Sequence, residues 1–176
     1  MLKDSDLILR PYQASDREAL VKLADNPKVA HNLTNVFPNP YTPEDADAWL
    51  KLTADEERPL NFAIIWQGNF VGGAGLIPMT DVHCGTSRFG YWLGEPYWGK
   101  GLAARAAALL ADYAFKEFKF IRLQAMVFAR NPGSMKVLEK CGFQREGVMR
   151  CHVTKNGQVL DAVLYARLRE DQLIKK

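Results

Sequence analysis

Residues 89–104, FGYWLGEPYWGKGLAA, set aromatic and apolar side chains ahead of Gly94, Gly99 and Gly101, and that order makes an anion site. Phe89, Tyr91, Trp92 and Leu93 suit a buried, pleated strand. Gly94, Pro96, Gly99 and Gly101 end it, and Leu102 opens an alanine-rich helix. Glycines leave main-chain N–H groups bare. The amides of a helix's first turn, with the positive end of its dipole, converge where a phosphate would sit. Gly99, Lys100, Gly101, Leu102, Ala103 and Ala104 are the candidate main-chain donors to such a phosphate, with Trp98 at the entrance.

Three ligand classes compete for such a loop. Gly94-x-x-x-x-Gly99-Lys100 begins like a nucleoside-triphosphate loop, but Gly101 stands where the magnesium-binding hydroxyl belongs, and Pro96-Tyr97-Trp98 crowd the cradle. Gly99-x-Gly101-x-x-Ala104 matches the looser dinucleotide fingerprint, which belongs to the first strand, turn and helix of a doubly wound chain. Here it lies past the middle, with room for only one more strand-helix pair. Glycines after a strand also make plain turns, so the loop alone leaves a purely structural role open.

A second stretch, 131–143 (NPGSMKVLEKCGF), reads as a loop entering a helix. Asn131 caps it, Pro132 suits its first position, Lys136 and Lys140 fall in the later turns, and Gly142 takes the left-handed C-terminal position.

With both stretches in view the chain resembles the GCN5-related N-acetyltransferases (GNAT). Their signature is R/Q-x-x-G-x-G/A followed, after a helix and a strand, by a short helix that begins N-x-x-A/S and ends G-F. Residues 98–103 fit at Gly101 and Ala103, while Trp98 replaces the usual Arg or Gln. YWGKG with N-x-x-S and LEKCGF is most similar to the RimJ and RimL branch, and LILRPYQASD near the start and EGVMR…NGQVLDAVLY near the end extend the likeness over nearly the whole chain.

The resemblance implies an α/β (α+β) fold: a mixed sheet of about seven strands, mostly antiparallel, flanked by helices, with one parallel pair splayed at the cofactor site. It implies acetyl-CoA as co-substrate, held by Trp92, Leu93, the loop residues named above, Asn131 and Ser134. The Leu93 N–H would face the thioester oxygen, and Asn131 and Ser134 would approach the pantetheine and the sulfur. Many relatives carry a tyrosine acid seven residues after the asparagine; here that residue is Leu138. The helical excursion after the first strand forms one wall of the acceptor site in the family, which nominates His31, Asn32 and Phe37. Trp92, Tyr97 and Trp98 cluster at the mouth, where aromatic rings serve an acceptor, a homodimer contact or the core.

Acetyl transfer to an amine needs a bound donor, a neutral amine, charge stabilisation on the carbonyl oxygen and a proton source for the thiolate. Glu95 is the one carboxylate beside the reacting end and would act as base through water. An α-amine of pKa near 8 is about one-tenth neutral at pH 7, whereas a lysine near 10.4 is neutral in roughly one molecule in 2,500. A site without a strong base therefore favours an α-amine of a protein, peptide or small molecule. The alternatives are an acetyl-CoA-binding module without turnover, an enzyme for a small-molecule amine such as a polyamine or antibiotic, and a nucleotide enzyme.

The elements that must position these groups follow from a chain of 176 residues with net charge +3, one domain long over 1–176. Cys84, Cys141 and Cys151 show no paired spacing, and His31, His83 and His152 are scattered, so neither a disulfide framework nor a metal site is expected. The charge is too small for a nucleic-acid footprint. No membrane span or signal peptide is legible, which predicts a cytoplasmic protein.

Along the chain, 7–11 reads as an edge strand ended by Pro11, and Ser15 with Glu18 as a capping box for a helix to Ala24. A short helical turn is expected at Asn26-Pro27, and Thr42 opens another helix that buries Ala46, Trp49, Leu50 and Thr53. Strands are expected at 61–66, 70–77 and 86–93, a helix at 102–118 and a strand at 122–128 parallel to its predecessor. A last hairpin, 144–153 with 158–167, turns on Lys155-Asn156-Gly157, and the charged tail 170–176 is expected to fray.

Overall fold

The computed structural model describes residues 1–54 and 57–172. The expectation for the tail beyond 172 lies outside the described residues. Among the described residues eight strands are present where about seven were expected: β1 (Leu2–Asp4), β2 (Leu7–Arg10), β3 (Asn61–Trp66), β4 (Asn69–Pro78), β5 (Thr86–Leu93), β6 (Arg122–Phe128), β7 (Gln144–Lys155) and β8 (Gln158–Leu168). Among the same residues five α-helices join them: α1 (Arg17–Ala24), α2 (Pro27–Ala30), α3 (Pro43–Thr53), α4 (Leu102–Glu117) and α5 (Pro132–Lys140). Neighbours in the sheet follow the order β1-β2-β3-β4-β5-β6-β8-β7.

The additional strand is β1, a three-residue piece that pairs antiparallel with β2, so β2 lies between β1 and β3 and is not the expected edge. Pro11 falls just beyond β2, where it removes no ladder donor. The turns match their chemistry. Gln67-Gly68 and Asn156-Gly157 carry positive φ at both residues, as two-residue hairpins of the primed type require. Lys155, expected in the last turn, is a strand residue.

The chain divides into two compact units, Met1–Gly75 with Tyr91–Leu110 and Leu76–Gly90 with the chain from Ala111. In the first, Tyr12, Leu20, Ala24, Tyr41, Ala46, Ala63, Ile65 and Phe70 make one apolar core, with Trp49, Leu50 and Trp92 packed against it. Burial pushes the Tyr41 phenol up to about 12 and Tyr12 higher still, so both rings are neutral core members. Helix α3 starts as expected: the Thr42 hydroxyl accepts from the Asp45 N–H and the Asp45 carboxylate from the Thr42 N–H at 2.8 Å.

The start of α1 differs. A 3-10 turn over Ala14–Asp16 precedes it, and the reaching side chain is Asp16, whose carboxylate accepts from the Gln13 N–H at 2.9 Å. Ser15 does not cap. The same carboxylate takes both arms of the Arg10 guanidinium, at 2.6 and 2.7 Å, and is 4% exposed. An arginine from β2 has captured the acid that opens the helix.

In the second unit, Phe89, Ala114, Phe115, Leu123, Leu138, Phe143, Val163 and Tyr165 are buried. β7 is the last strand of the order and nine of its twelve residues are exposed. It is not regular: its register with β8 shifts between Arg145 and Gly147 and again between Met149 and Val153, where Cys151 has φ +51° and gives its N–H to the Asp161 carboxylate.

Surface ion pairs join Asp6 to Arg105, Asp47 to Arg17, Glu95 to Lys28 and Glu146 to Arg122. In each, the hydrogen bond from the basic partner holds the carboxyl below its ordinary value. A pKa lowered on folding stabilises the fold above the unfolded value and is lost as pH falls through the folded one. Stability is thus expected to be level above about pH 5 and to decline below it. Urea midpoints measured against pH should show this, with a shallower decline in Arg122→Gln, where Glu146 has lost its partner.

Candidate functional site

β5 ends at Leu93 and a 3-10 turn over Glu95–Tyr97 follows. The Gly94 N–H donates to the Val71 carbonyl at 2.9 Å, which keeps the strand's end tied to β4. That close approach is possible because β4 carries Gly72 and Gly73: a Cβ at Gly72 would lie 2.2 Å from the Trp92 oxygen, and one at Gly73 2.2 Å from the Tyr12 hydroxyl.

Gly99 and Gly101 then adopt φ of +75° and +77°, with open space where a Cβ would stand. Their left-handed backbone, not crowding, is what demands glycine. Leu102 begins α4, and the Arg105 N–H bonds the Gly101 carbonyl at 3.3 Å. The loop amides that lead into this 16-residue helix lie at its positive N-terminal end. Gly99, Lys100 and Gly101 are exposed, and Ala103 and Ala104 partly so. This cradle fits a diphosphate.

Trp98, the departure from the family pattern, donates its indole N–H to the Leu93 carbonyl at 2.8 Å and leaves 44% of its surface exposed. The bond closes the loop back on the strand it leaves. Trp92 turns its ring to the core, 5.5 Å from Phe37 and 6.1 Å from Phe70. Phe37 also packs on Tyr41 at 5.3 Å, and Tyr97 stands edge-on to Trp66 at 6.3 Å.

His31 and Asn32, by contrast, come together with Trp98. With Pro27 and Lys28 they line an open hollow of about 360 Å³. Lys28 and Pro27 were not read from the sequence. A signal existed: Lys28, His31 and Asn32 stand at i, i+3 and i+4, one face of a helical turn. Glu95, expected as a base, accepts from Lys28 Nζ and from Asn26 Nδ2 at 2.9 Å. The Lys28 bond and then the Asn26 bond hold its carboxyl below the usual range, which weakens it as a proton acceptor.

In the second unit, β5 and β6 run parallel, and their register covers only Thr86–Arg88 against Arg122–Gln124. β6 continues to Phe128 paired with β8 alone among the described residues. α5 follows. The Asn131 side chain accepts from the Ser134 N–H at 3.1 Å, and Pro132 occupies the first turn. At the other end Gly142 has φ +80°, and the Phe143 N–H returns to the Leu138 carbonyl at 3.0 Å. Leu138 is wholly buried, Phe143 just past the helix packs at a tilt on Phe89 at 5.0 Å, and the Tyr165 hydroxyl donates to Glu139 at 2.8 Å, which together hold α5 against the sheet. Ser134 is partly exposed on its first turn.

Residues 6–144 match the model of the acetyltransferase (GNAT) domain family. The chain is 31% identical to the probable N-acetyltransferase YjcK of Bacillus subtilis over 97% of this chain and 98% of that one. It is 29% identical to the spermidine N(1)-acetyltransferase of Escherichia coli, covering 88% and 82%. The structure of Mycobacterium smegmatis RimJ in complex with CoA-disulfide superposes with a TM-score of 0.80 at 25% identity, covering 94% of this chain and 83% of that one. The chain belongs to the GNAT acetyltransferase family, and it is an N-acetyltransferase of that type with RimJ and RimL folds among its structural neighbours. Among the described residues no helix is long and apolar enough to cross a membrane.

Proposed function

We propose that the protein transfers the acetyl group of acetyl-CoA to an α-amine, and the observation that carries this reading is the pair of left-handed glycines opening α4. Gly99, Lys100, Gly101, Leu102, Ala103 and Ala104 offer main-chain donors to the diphosphate. The GNAT membership and the CoA-bound state of the similar RimJ structure support that assignment. Bound there, the donor supplies an activated thioester, and the remaining work belongs to the chain's own groups.

The Leu93 N–H orients the carbonyl and stabilises charge on its oxygen. Asn131 caps α5 and so sets Ser134, whose hydroxyl gives a hydrogen bond to the departing sulfur in place of the tyrosine that Leu138 has replaced. Glu95, bound by Lys28 and Asn26, acts chiefly as a brace between α2 and the loop after β5, and the amine must arrive neutral with little help from a base. That requirement favours an α-amine over lysine by the ratio of their neutral fractions.

Ser134→Ala is expected to lower kcat about fivefold, the worth of one hydrogen bond near 1 kcal/mol, with little change in acetyl-CoA affinity. Stopped-flow thiol release and calorimetry would check the two halves. The reading as a whole is tested by mass spectrometry of peptide panels: acetylation of lysine side chains on peptides with blocked N-termini, at the rate seen for free N-termini, would sink it.

A further inference from the structure

Asp6 reaches both flanks of the glycine loop, through one partner on each side. After the loop, Arg105 is the fourth residue of α4, and its N–H bonds the Gly101 carbonyl. The Arg105 guanidinium donates from Nε to the Asp4 carboxylate and from Nη2 to the Asp4 carbonyl, each at 2.6 Å, and from Nη2 again to Asp6 Oδ1 at 2.9 Å. Before the loop, Tyr97 stands against the Trp66 ring, and the Trp66 indole N–H donates to Asp6 Oδ2 at 2.7 Å. Asp6 is itself anchored to the turn between β3 and β4, where its carbonyl accepts from the Gln67 N–H at 3.0 Å.

Neither stability nor charge accounts for this arrangement. The Arg105 side chain is 32% exposed, Asp4 45% and Asp6 39%, and ion pairs this open add little to folding. Charge alone is unfavourable, because two carboxylates held near a cradle for an anion oppose its ligand. What the contacts do supply is position: a planar guanidinium bonded to three acceptors cannot swing. We infer that Asp6 is a positioning residue for acetyl-CoA, which through Trp66 and Arg105 holds the chain on either side of Gly99 and Gly101 at the spacing that turns the intervening amides onto the diphosphate. A cradle set in this way before its ligand arrives binds without the cost of ordering the loop. The inference rests on the assignment of the diphosphate to this loop and names what keeps the loop in shape.

The test measures binding to the full chain of acetyl-CoA, by calorimetry, and of pantetheine, which lacks the diphosphate, by NMR titration. Charge and position predict opposite signs for Asp6→Ala. Losing a negative charge near an anion site would tighten acetyl-CoA, whereas losing the anchor should weaken it about tenfold and leave pantetheine within twofold. Asp6→Asn removes the same charge but keeps one acceptor oxygen, so its loss should fall between those of wild type and Asp6→Ala. Trp66→Phe keeps the ring against Tyr97, removes only the N–H, and should weaken acetyl-CoA about threefold; it carries the test where Asp6→Ala does not fold. Unchanged or tighter acetyl-CoA binding in folded Asp6→Ala, an equal loss of pantetheine, or identical effects of alanine and asparagine each overturns the proposal. Gly101→Val, titrated alongside, separates the two failures. If it leaves acetyl-CoA affinity unchanged, the cradle assignment falls and the role of Asp6 with it; if it weakens acetyl-CoA while Asp6→Ala does not, the cradle stands and only the role of Asp6 is lost.

Discussion

Gly72→Ala is expected to destabilise the protein by about 3 kcal/mol, the upper part of the range for forced overpacking, and to lower Tm by roughly 6–12 °C. The new methyl group would meet the Trp92 carbonyl oxygen at 2.2 Å and the Leu93 Cα at 2.9 Å. Both are main-chain atoms, which cannot rotate aside as a side chain can. Relief would require β4 and the end of β5 to separate, breaking the bond from the Gly94 N–H to the Val71 carbonyl. Acetyl-transfer activity should fall with stability because Leu93 lies on the displaced segment. Differential scanning calorimetry reads the first effect. A control at Gly90, where a Cβ would meet nothing within 4 Å, should cost far less.

Gly101→Val should leave Tm nearly unchanged and weaken acetyl-CoA about thirtyfold, equivalent to roughly 2 kcal/mol of left-handed backbone strain for a branched residue. The two glycine substitutions separate two physical causes. Gly72 lacks space, whereas Gly101 has open space and an unfavourable φ of +77°. A valine at 101 relaxes by turning its peptide groups out of the cradle, so the loss appears in ligand binding and not in folding. Gly101→Asn is the discriminating control, because asparagine tolerates this conformation and should recover most of the affinity. Isothermal titration calorimetry of the three proteins decides it, and equal weakening by valine and asparagine would show that bulk, not backbone strain, is responsible.

The parts legible in the sequence were those whose cause is local. β5, α4, β6 and α5 lie where apolar patterning, the glycines and the N-P start place them, because strand and helix signals there agree with the turn chemistry. The cap of α5 was readable from Asn131, and its αL end from Gly142. β1 was not, since three residues with no clear alternation become a strand only through pairing with β2. The false cap at Ser15 has the same origin. Asp16 is drawn to Arg10, a partner on another element that spacing within the helix cannot reveal. The site divides in the same way. The diphosphate cradle is a property of consecutive residues, while the hollow needs Trp98 to meet Lys28 and Asn32 across some seventy positions of chain.

β7 has a consequence for how the molecule lives among its copies. A twelve-residue outermost strand, largely open to solvent, is the sort of border onto which a stranger's strand can zip. The kinks at Gly147 and Cys151 interrupt its straightness, and Asp161 occupies one of the amides that a visitor would seek. Straightening that border, by deleting two of the three residues 150–152 that stand against Asp161 alone, would trade a surface that resists strand addition for one that seeds fibrous or amorphous aggregates.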